Sequence, residues 1–548
     1  MSEPRAALDL LFPTPALRID VEQTCLGLDL AFAGGVAGGL FSDALDRAPV
    51  GPTAWKPASF AADLFVPAFV ASCFTIGDGQ LVSQKHLVKL VTSPPVDPAV
   101  VLHRRAVVDE LVTHPSRREA LRALYTDLLR LRSMLEGATG AGKWDANRRQ
   151  LDILTLVKKL FDRLAEPPAD GASSSALARL SEYGKRVLAG EPYRSLADLL
   201  RYDESMATLS LKVGIGADGR IRGFQLLSVE EDRQNPFVSS AWRRWLAKVE
   251  LFVRGYRFGD GEVMARLIDA VFDGLRDELA PLVQLVGDLE FYLGALGLRD
   301  AAAARGLAMC LPKLAEPGEP RVLEGLWNPL LLASGVAPVP CDLRLDRHDA
   351  CVLVTGPNSG GKTRLLQSVG LSQVLAQVGL FVPARAGCVM LGSSLVVSLI
   401  QETRVDQAEG RLGMELLRIR ELFESLPPGA MVILDELCSG TNPSEGEEIF
   451  ELVIRMLTRL RPQTFITTHF LAFATRLQAA GEIDELRFLQ VELDPNHLPT
   501  YQFTPGVAQT SLAGKAAARL GVTGEQLLAL IERNLAAAEP GREGQGRA

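Results

Sequence analysis

The second half of the sequence predicts an α/β domain with parallel strands, set C-terminal to a mostly α-helical core or lever region. Three observations point there. From Asp349 onward, short apolar runs alternate with helix-length stretches, the pattern of strands joined by crossover helices. A glycine-rich loop, 356–363, separates the first apolar run from the first helix. Upstream, Ala106 to Leu135 places Val107, Leu111, Leu121, Leu124, Leu128, Leu131 and Leu135 mostly three or four residues apart, which is one face of a helix.

Taken in order, residues 1–95 are rich in Ala, Gly and Pro and weakly periodic, and read as a small mixed segment. Residues 96–320 are mostly helical, with a break expected at Pro115, a helix over Leu151 to Leu164, a loop from Pro167 to Ser175, and helix again to about Leu200. Near 205–260 a short insert of different character interrupts the helices. Leu209, Leu211 and Val213 alternate with polar residues, Gly216 to Gly219 supplies a turn, and Ile221 to Leu227 returns as a second strand. Helices follow from Ser239 to Leu311, and the stretch Pro317-Gly318-Glu319-Pro320 marks a boundary.

Residues 321–505 form the α/β domain. Cys351 to Val354, Leu395 to Ile400, Met431 to Leu434 and Thr464 to Thr467 read as strands. Thr363 to Val378 reads as a helix. Leu412, Leu416, Ile419, Phe423 and Leu426 form a helical stripe ended by Pro427-Pro428-Gly429. Residues 506–548 are a C-terminal helical segment, opened by the capping pair Thr523 and Gln526, with a disordered tail from 539.

The bulk numbers narrow the class. A chain of 548 residues has room for roughly three or four domains. Apolar residues at 47% and charged residues at 23% suit a globular protein, and a net charge of -8 argues against a uniformly basic wrapper of nucleic acid. The cysteines at 25, 73, 310, 341, 351, 388 and 438 have no Cys-x-x-Cys spacing and no His cluster beside them, so reduced thiols are expected. Met1 to Arg5 does not open a signal peptide, and the apolar window Phe60 to Ile76 is too short to span a bilayer. A cytoplasmic location without membrane contact is the expectation.

The chemistry concentrates in three places. Gly356, Pro357, Asn358, Ser359, Gly360, Gly361, Lys362 and Thr363 fit G-x-x-x-x-G-K-[ST]. The glycines let backbone N–H groups turn inward onto phosphate oxygens, and the following helix adds its positive end. Lys362 is expected on the β- and γ-phosphates of ATP, and the Thr363 hydroxyl on Mg2+. Met431 to Leu434 ends in Asp435 and Glu436. Asp435 is expected to hold the magnesium and Glu436 to act as general base on the attacking water. Thr467-Thr468-His469 ends the next strand, where His469 is expected to contact the γ-phosphate or the water. Ser439-Gly440-Thr441-Asn442 is either an ordinary turn or a loop crossing to a second subunit.

Three stretches together resemble the ATPase domain of the MutS family of DNA mismatch-repair proteins. They are Thr355 to Thr363 continued by Leu375 to Pro383, Asp435 to Gly446, and Thr468-His469-Phe470. The likeness extends to Trp327-Asn328-Pro329, to Arg104 through Leu111, and to Pro505 through Val522. The resemblance implies an α/β P-loop NTPase domain of ABC/MutS type, C-terminal to a helical core/lever region whose insert near 205–260 is clamp-like. It also implies a homodimer in which each ATP is completed by the partner, with nucleotide state coupled to clamping of helices around DNA. The sequence departs from the pattern in three ways. No early Phe-x-Glu occurs, so an amino-terminal mismatch-reading domain is not expected. Nothing resembling the Smr nuclease tail follows. The family's Ser-Thr-Phe trans-acting loop reads Gly410-Arg411-Leu412, where Arg411 is a candidate replacement contact.

For DNA, residues 103–150 carry ten Lys/Arg against six acids. Trp242-Arg243-Arg244-Trp245 with Lys248 is the best basic-aromatic stretch, although helical Trp is commonly core and Arg commonly solvates an outer face. The leading expectation is a DNA-dependent ATPase acting on mismatched, branched or otherwise distorted duplexes in repair or recombination. A nucleotide-gated protein-interaction switch without DNA is the main rival. A module with little or no turnover is another. A transporter-type ATPase is weakened because no Leu-Ser-Gly-Gly stretch precedes Asp435.

Overall fold

The computed structural model describes residues 8–35, 38–77, 81–137, 146–167, 174–203, 207–215, 221–231, 260–316, 318–399, 411–438, 442–509 and 522–538. Its elements run α1 (Val21–Phe32), α2 (Leu40–Arg47), a 3-10 turn (Pro57–Ser59), α3 (Val66–Cys73), α4 (Gln84–Thr92), α5 (Pro98–Thr113), α6 (Pro115–Glu136), α7 (Ala146–Ala165), α8 (Ser175–Ala189), α9 (Glu191–Asp203), β1 (Ala207–Ile215) and β2 (Ile221–Glu231). Then come α10 (Asp260–Ala303), β3 (Lys313–Leu314), β4 (Arg321–Leu326), α11 (Pro329–Ala333), β5 (Cys341–Leu345), β6 (Cys351–Thr355), α12 (Lys362–Gln377), β7 (Ala386–Val389) and β8 (Leu395–Ser398). The chain finishes with α13 (Arg411–Ser425), β9 (Met431–Leu434), α14 (Pro443–Leu460), β10 (Gln463–Thr467), α15 (Leu471–Ala480), β11 (Leu486–Leu493), β12 (Pro499–Pro505) and α16 (Gly524–Ala538).

Two compact units emerge. One is made of Met1–Ala54, Val66–Arg305 and Gln377–Phe381; the other of Trp55–Phe65, Gly306–Ala376 and Val382–Ala548. The first is mostly helical. Its axis is α10, 44 residues long with Pro281 inside. Leu279, Leu282, Val283, Leu285, Val286, Leu289, Phe291, Tyr292 and Leu293 on it are all buried. A helix apolar on every side must be enclosed on every side. This is also the one described helix long and apolar enough to cross a bilayer, and its apolar window is wholly buried within the chain. It is a longer apolar stretch than the 60–76 window singled out from sequence.

An irregular strap at 8–18 threads this unit, and side chains satisfy its backbone. Asp288 accepts from Leu10 N at 2.8 Å, Tyr292 donates to Leu10 O at 2.8 Å, Gln284 donates to Ala16 O at 2.9 Å, and Arg104 donates through Nε to Leu11 O at 3.2 Å. Buried polar backbone must find partners, and here helices supply what secondary structure does not. The expected mixed segment 1–95 is therefore not a domain of its own: its described helices join the helical unit. Residues 55–65 join the other, where Ser59 Oγ donates to Leu395 O at 2.7 Å and Asp63 accepts from Leu399 N at 2.7 Å. Those bonds cover the edge strand β8, whose unpaired groups would otherwise face outward. The break at Pro115 is real, since α5 ends at Thr113 and α6 begins on the proline. The hairpin is real too, with β1 and β2 antiparallel and Ile215 opposite Ile221; the turn between them lies outside the described residues.

The second unit is mixed α/β. Its six-stranded sheet has the order β12-β11-β6-β10-β9-β8, parallel from β11 through β8, with β12 antiparallel at the edge. The strands β6, β9 and β10 are buried at every position. Their near-continuous apolar sequences suit a sheet covered on both faces. A four-stranded sheet, β3-β7-β4-β5, completes the unit.

Candidate functional site

In the large sheet β10 lies between β6 and β9, and all three run the same way. Three sequence segments far apart in the chain therefore end on one edge: 356–363 after β6, Asp435-Glu436 after β9, and Thr468-His469 after β10. The carboxyl edge of such a sheet is where ligands bind.

The loop after β6 curls as its sequence requires. Gly356 sits at φ 144° and Gly361 at φ 88°, while Ser359 takes the left-handed region at φ 69°. A side chain at Gly356 would meet Val491 Cγ2 at 2.6 Å, so the position needs glycine for space as well as for backbone angle. Lys362, nearly buried, folds back over the loop and donates to Gly356 O at 2.9 Å and Pro357 O at 3.2 Å. Burial lowers its pKa, partly offset by the nearby carboxylates of Glu436 and Asp435. An anion arriving at the loop would add to that offset and favour the charged ammonium.

Thr363 Oγ1 donates to Asp435 Oδ2 at 2.6 Å, across 72 residues of sequence. The other oxygen, Asp435 Oδ1, accepts from the hydroxyl of Thr467. The next residue, Glu436, has φ 52°, and its N–H donates to Thr467 Oγ1 at 2.9 Å. His469 is exposed at the end of β10, its ring 4.3 Å from that of Phe470. The structure thus gathers Gly356 to Thr363, Asp435, Glu436 and His469 at one edge.

A hydroxyl and a carboxylate at 2.6 Å form an all-oxygen pair. That donor set suits magnesium, which takes one or two protein ligands and completes its shell with phosphate and water. Among the described residues no group of three or more His, Cys, Asp or Glu could hold a metal by itself.

Two residues were passed over in the sequence. Tyr501 on β12 is 45% exposed, with φ 61°, and its ring edge lies 3.1 Å from where a Cβ on Gly361 would stand. Thr467 was visible in the Thr-Thr-His run, but only the histidine carried a recognisable chemical role. Arg411 opens α13, but its side chain is not among those described. Ser439, Thr441, Gly410, Arg243, Arg244 and Lys248 lie outside the described residues.

Part of the basic excess at 103–150 is spent inside the helical unit. Arg104 is fully buried, and Arg117 is buried against Glu110. Arg118 pairs with Asp300, and Arg132 with Glu136 at 2.8 Å. Arg149 donates to the carbonyls of Ala31, Phe32 and Met134 at 2.6–3.2 Å. Local charge counted along sequence does not become surface charge when carboxylates and carbonyls close over it.

Comparison with known proteins agrees with the geometry. The family model described as MutS domain V, a domain of P-loop ATPase type, matches residues 352–537. Endonuclease MutS2 of Streptococcus thermophilus (strain ATCC BAA-491 / LMD-9) is 26% identical over 445 residues, covering 75% of this chain and 54% of that protein. Endonuclease MutS2 of Gemmatimonas aurantiaca is 32% identical over 283 residues, 50% of this chain and 34% of that protein. The same-named protein of Thermomicrobium roseum is 31% identical over 279 residues, 48% and 34% of the two chains. The chain spans about half the length, or less, of these relatives. The domain match at 352–537, with relatives whose similarity reaches 75% of the chain, supports membership of the MutS family.

Proposed function

We propose that the protein is a MutS-related, DNA-dependent ATPase. It couples binding and hydrolysis of ATP to clamping on mismatched, branched or otherwise distorted DNA, as a homodimer in the cytoplasm. The observation that carries the reading is the bond from Thr363 to Asp435. It supports a phosphate loop and an acid pair acting on one bound triphosphate.

The chemistry follows from the residues. Loop amides and Lys362 hold the phosphates, and Thr363 with Asp435 would hold magnesium. Bound magnesium supplies charge neutralisation on the β- and γ-phosphates. Glu436 takes a proton from water as the water oxygen bonds to the γ-phosphorus. The bond from γ-phosphorus to the bridging oxygen breaks, and ADP leaves with that electron pair. His469 is assigned to contact the γ-phosphate or the water. Arg411, Ser439 and Thr441 are assigned as contacts to the partner subunit. Dimerisation is supported by α16, on which Leu527, Leu528, Leu530 and Ile531 are 41–56% exposed. Isolated apolar stripes of that kind favour association.

DNA as the partner is supported by the relatives, which carry the name endonuclease. Arg243, Arg244 and Lys248 are the assigned contacts. The internal pairing of Arg104, Arg117, Arg118, Arg132 and Arg149 favours a second reading, a nucleotide-gated protein-interaction switch. The experiment is a binding panel of homoduplex, mismatched and four-way-junction DNA, with and without ATP, at two salt concentrations. Salt-dependent, ATP-responsive binding to the distorted substrates and DNA-stimulated turnover are expected. No binding to any of the three, with turnover unaffected by DNA, supports the switch.

A further inference from the structure

We infer that Thr467 is a positioning residue for hydrolysis, its hydroxyl fixing both acids at the end of β9. The inference rests on the ATPase reading above. Thr467 closes β10 and is fully buried. Its neighbour Ile466 stands opposite Leu434 of β9, and Thr467 itself stands opposite Val354 of β6. It therefore occupies the rung between the strand that feeds the phosphate loop and the strand that delivers the acids.

The hydroxyl has one proton to give and lone pairs to receive with. The Glu436 N–H can only donate, so it donates to Thr467 Oγ1, at 2.9 Å. The Thr467 proton goes to Asp435 Oδ1. One oxygen atom thus holds the carboxylate of the first acid and the backbone of the second. Asp435 is gripped at both oxygens by hydroxyls, Thr467 on one and Thr363 on the other.

Glu436 needs this support because of its backbone. At φ 52° it occupies the left-handed region, which a residue with a Cβ holds only when its surroundings impose it. The bond from its N–H to Thr467 is such an imposition. The direction in which the Glu436 carboxylate leaves the backbone, and so its aim at the attacking water, depends on that N–H being held. A valine at 467 would fill the same volume but leave the Glu436 N–H without its acceptor and Asp435 Oδ1 without its donor.

The test uses the full-length protein with Thr467→Val, Thr467→Ala and Thr467→Ser. Three quantities are read: turnover of ATP, affinity for ATP, and hydrogen exchange of the Glu436 amide in the absence of nucleotide. Both hydroxyl-free variants are expected to lose about ten-fold or more in kcat, the effect of one misplaced hydrogen-bonded group. They should bind ATP within about three-fold of the parent, because the loop amides and Lys362 are untouched. Their Glu436 amide should exchange faster, and serine should restore both rate and protection. Either hydroxyl-free variant suffices if the other does not fold. Parent-like turnover and parent-like Glu436 exchange in a hydroxyl-free variant would overturn the inference. So would a serine variant as impaired as the valine, which would assign the effect to the methyl group. If the parent protein itself hydrolyses no ATP, the ATPase reading fails, and the amide exchange still decides whether Thr467 holds Glu436.

Discussion

Tyr501 stands with left-handed backbone and its ring edge against the glycine that precedes Lys362. An exposed aromatic face beside a phosphate loop is a platform for a nucleotide base, and base stacking on such a face is worth about 1–3 kcal/mol. Replacing Tyr501 with Ala should weaken ATP binding by about ten-fold while leaving the affinity for inorganic triphosphate unchanged. Paired calorimetric titrations check this, and equal losses for both ligands would assign Tyr501 to the loop's shape instead. The placement of Lys362, Thr363, Asp435 and Glu436 at one sheet edge was legible in the sequence, because a glycine-rich turn or a strand end dictates where each side chain emerges. The positions of Tyr501 and Thr467 were not, because they depend on which strand lies beside which. Nothing in Pro499-Thr-Tyr-Gln-Phe places β12 near Gly361 until the sheet order is known.

Among the elements, the connection from β5 to β6 carries a pH signature. His348 is 2% exposed, with Nδ1 2.7 Å from Glu319 O and Nε2 3.3 Å from Cys388 O. Burial, reinforced by the Arg321 charge, pushes its pKa from 6.5 down to about 4. The folded state therefore prefers the neutral ring. The stability this represents is intact above pH 6.5, where unfolded histidine is neutral too, and is lost as pH falls from 6.5 toward 4. Across that window the loss is about 3 kcal/mol. His348→Gln should lack this component: the difference in denaturant midpoint between parent and variant should shift in the variant's favour from pH 7 to pH 4.5. A pH-independent difference would contradict the burial argument. Helices were read well from sequence where periodicity was long and Pro115 punctuated it. The segment 8–18 was not readable, because its order comes from side chains of distant helices such as Asp288 and Tyr292. The four-stranded sheet was missed for a related reason. Its strands β3 and β7 have two and four residues, too short to show alternation.

For the whole molecule, the division into units does not follow the chain. Residues 55–65 belong with the α/β unit and 377–381 with the helical unit. Within the helical unit Val378 O accepts from Arg104 at 3.4 Å, and Arg299 lies 5.4 Å from the Phe381 ring. A segment that directly continues the helix opened by the phosphate loop is thus anchored among the helices, which gives the proposed coupling a covalent route. The internal pairing of Arg104 and Arg117 takes part of the 103–150 basic charge out of reach of a DNA phosphate, and Arg243, Arg244 and Lys248 are the contacts proposed. All of this presupposes that the pocket at 356–363, 435 and 436 hydrolyses ATP. The most direct measurement compares the full-length protein with Glu436→Gln, reading ATP affinity and phosphate release together. Turnover should fall by about a hundred-fold or more with affinity nearly unchanged. Equal phosphate release from the two proteins would contradict the central claim.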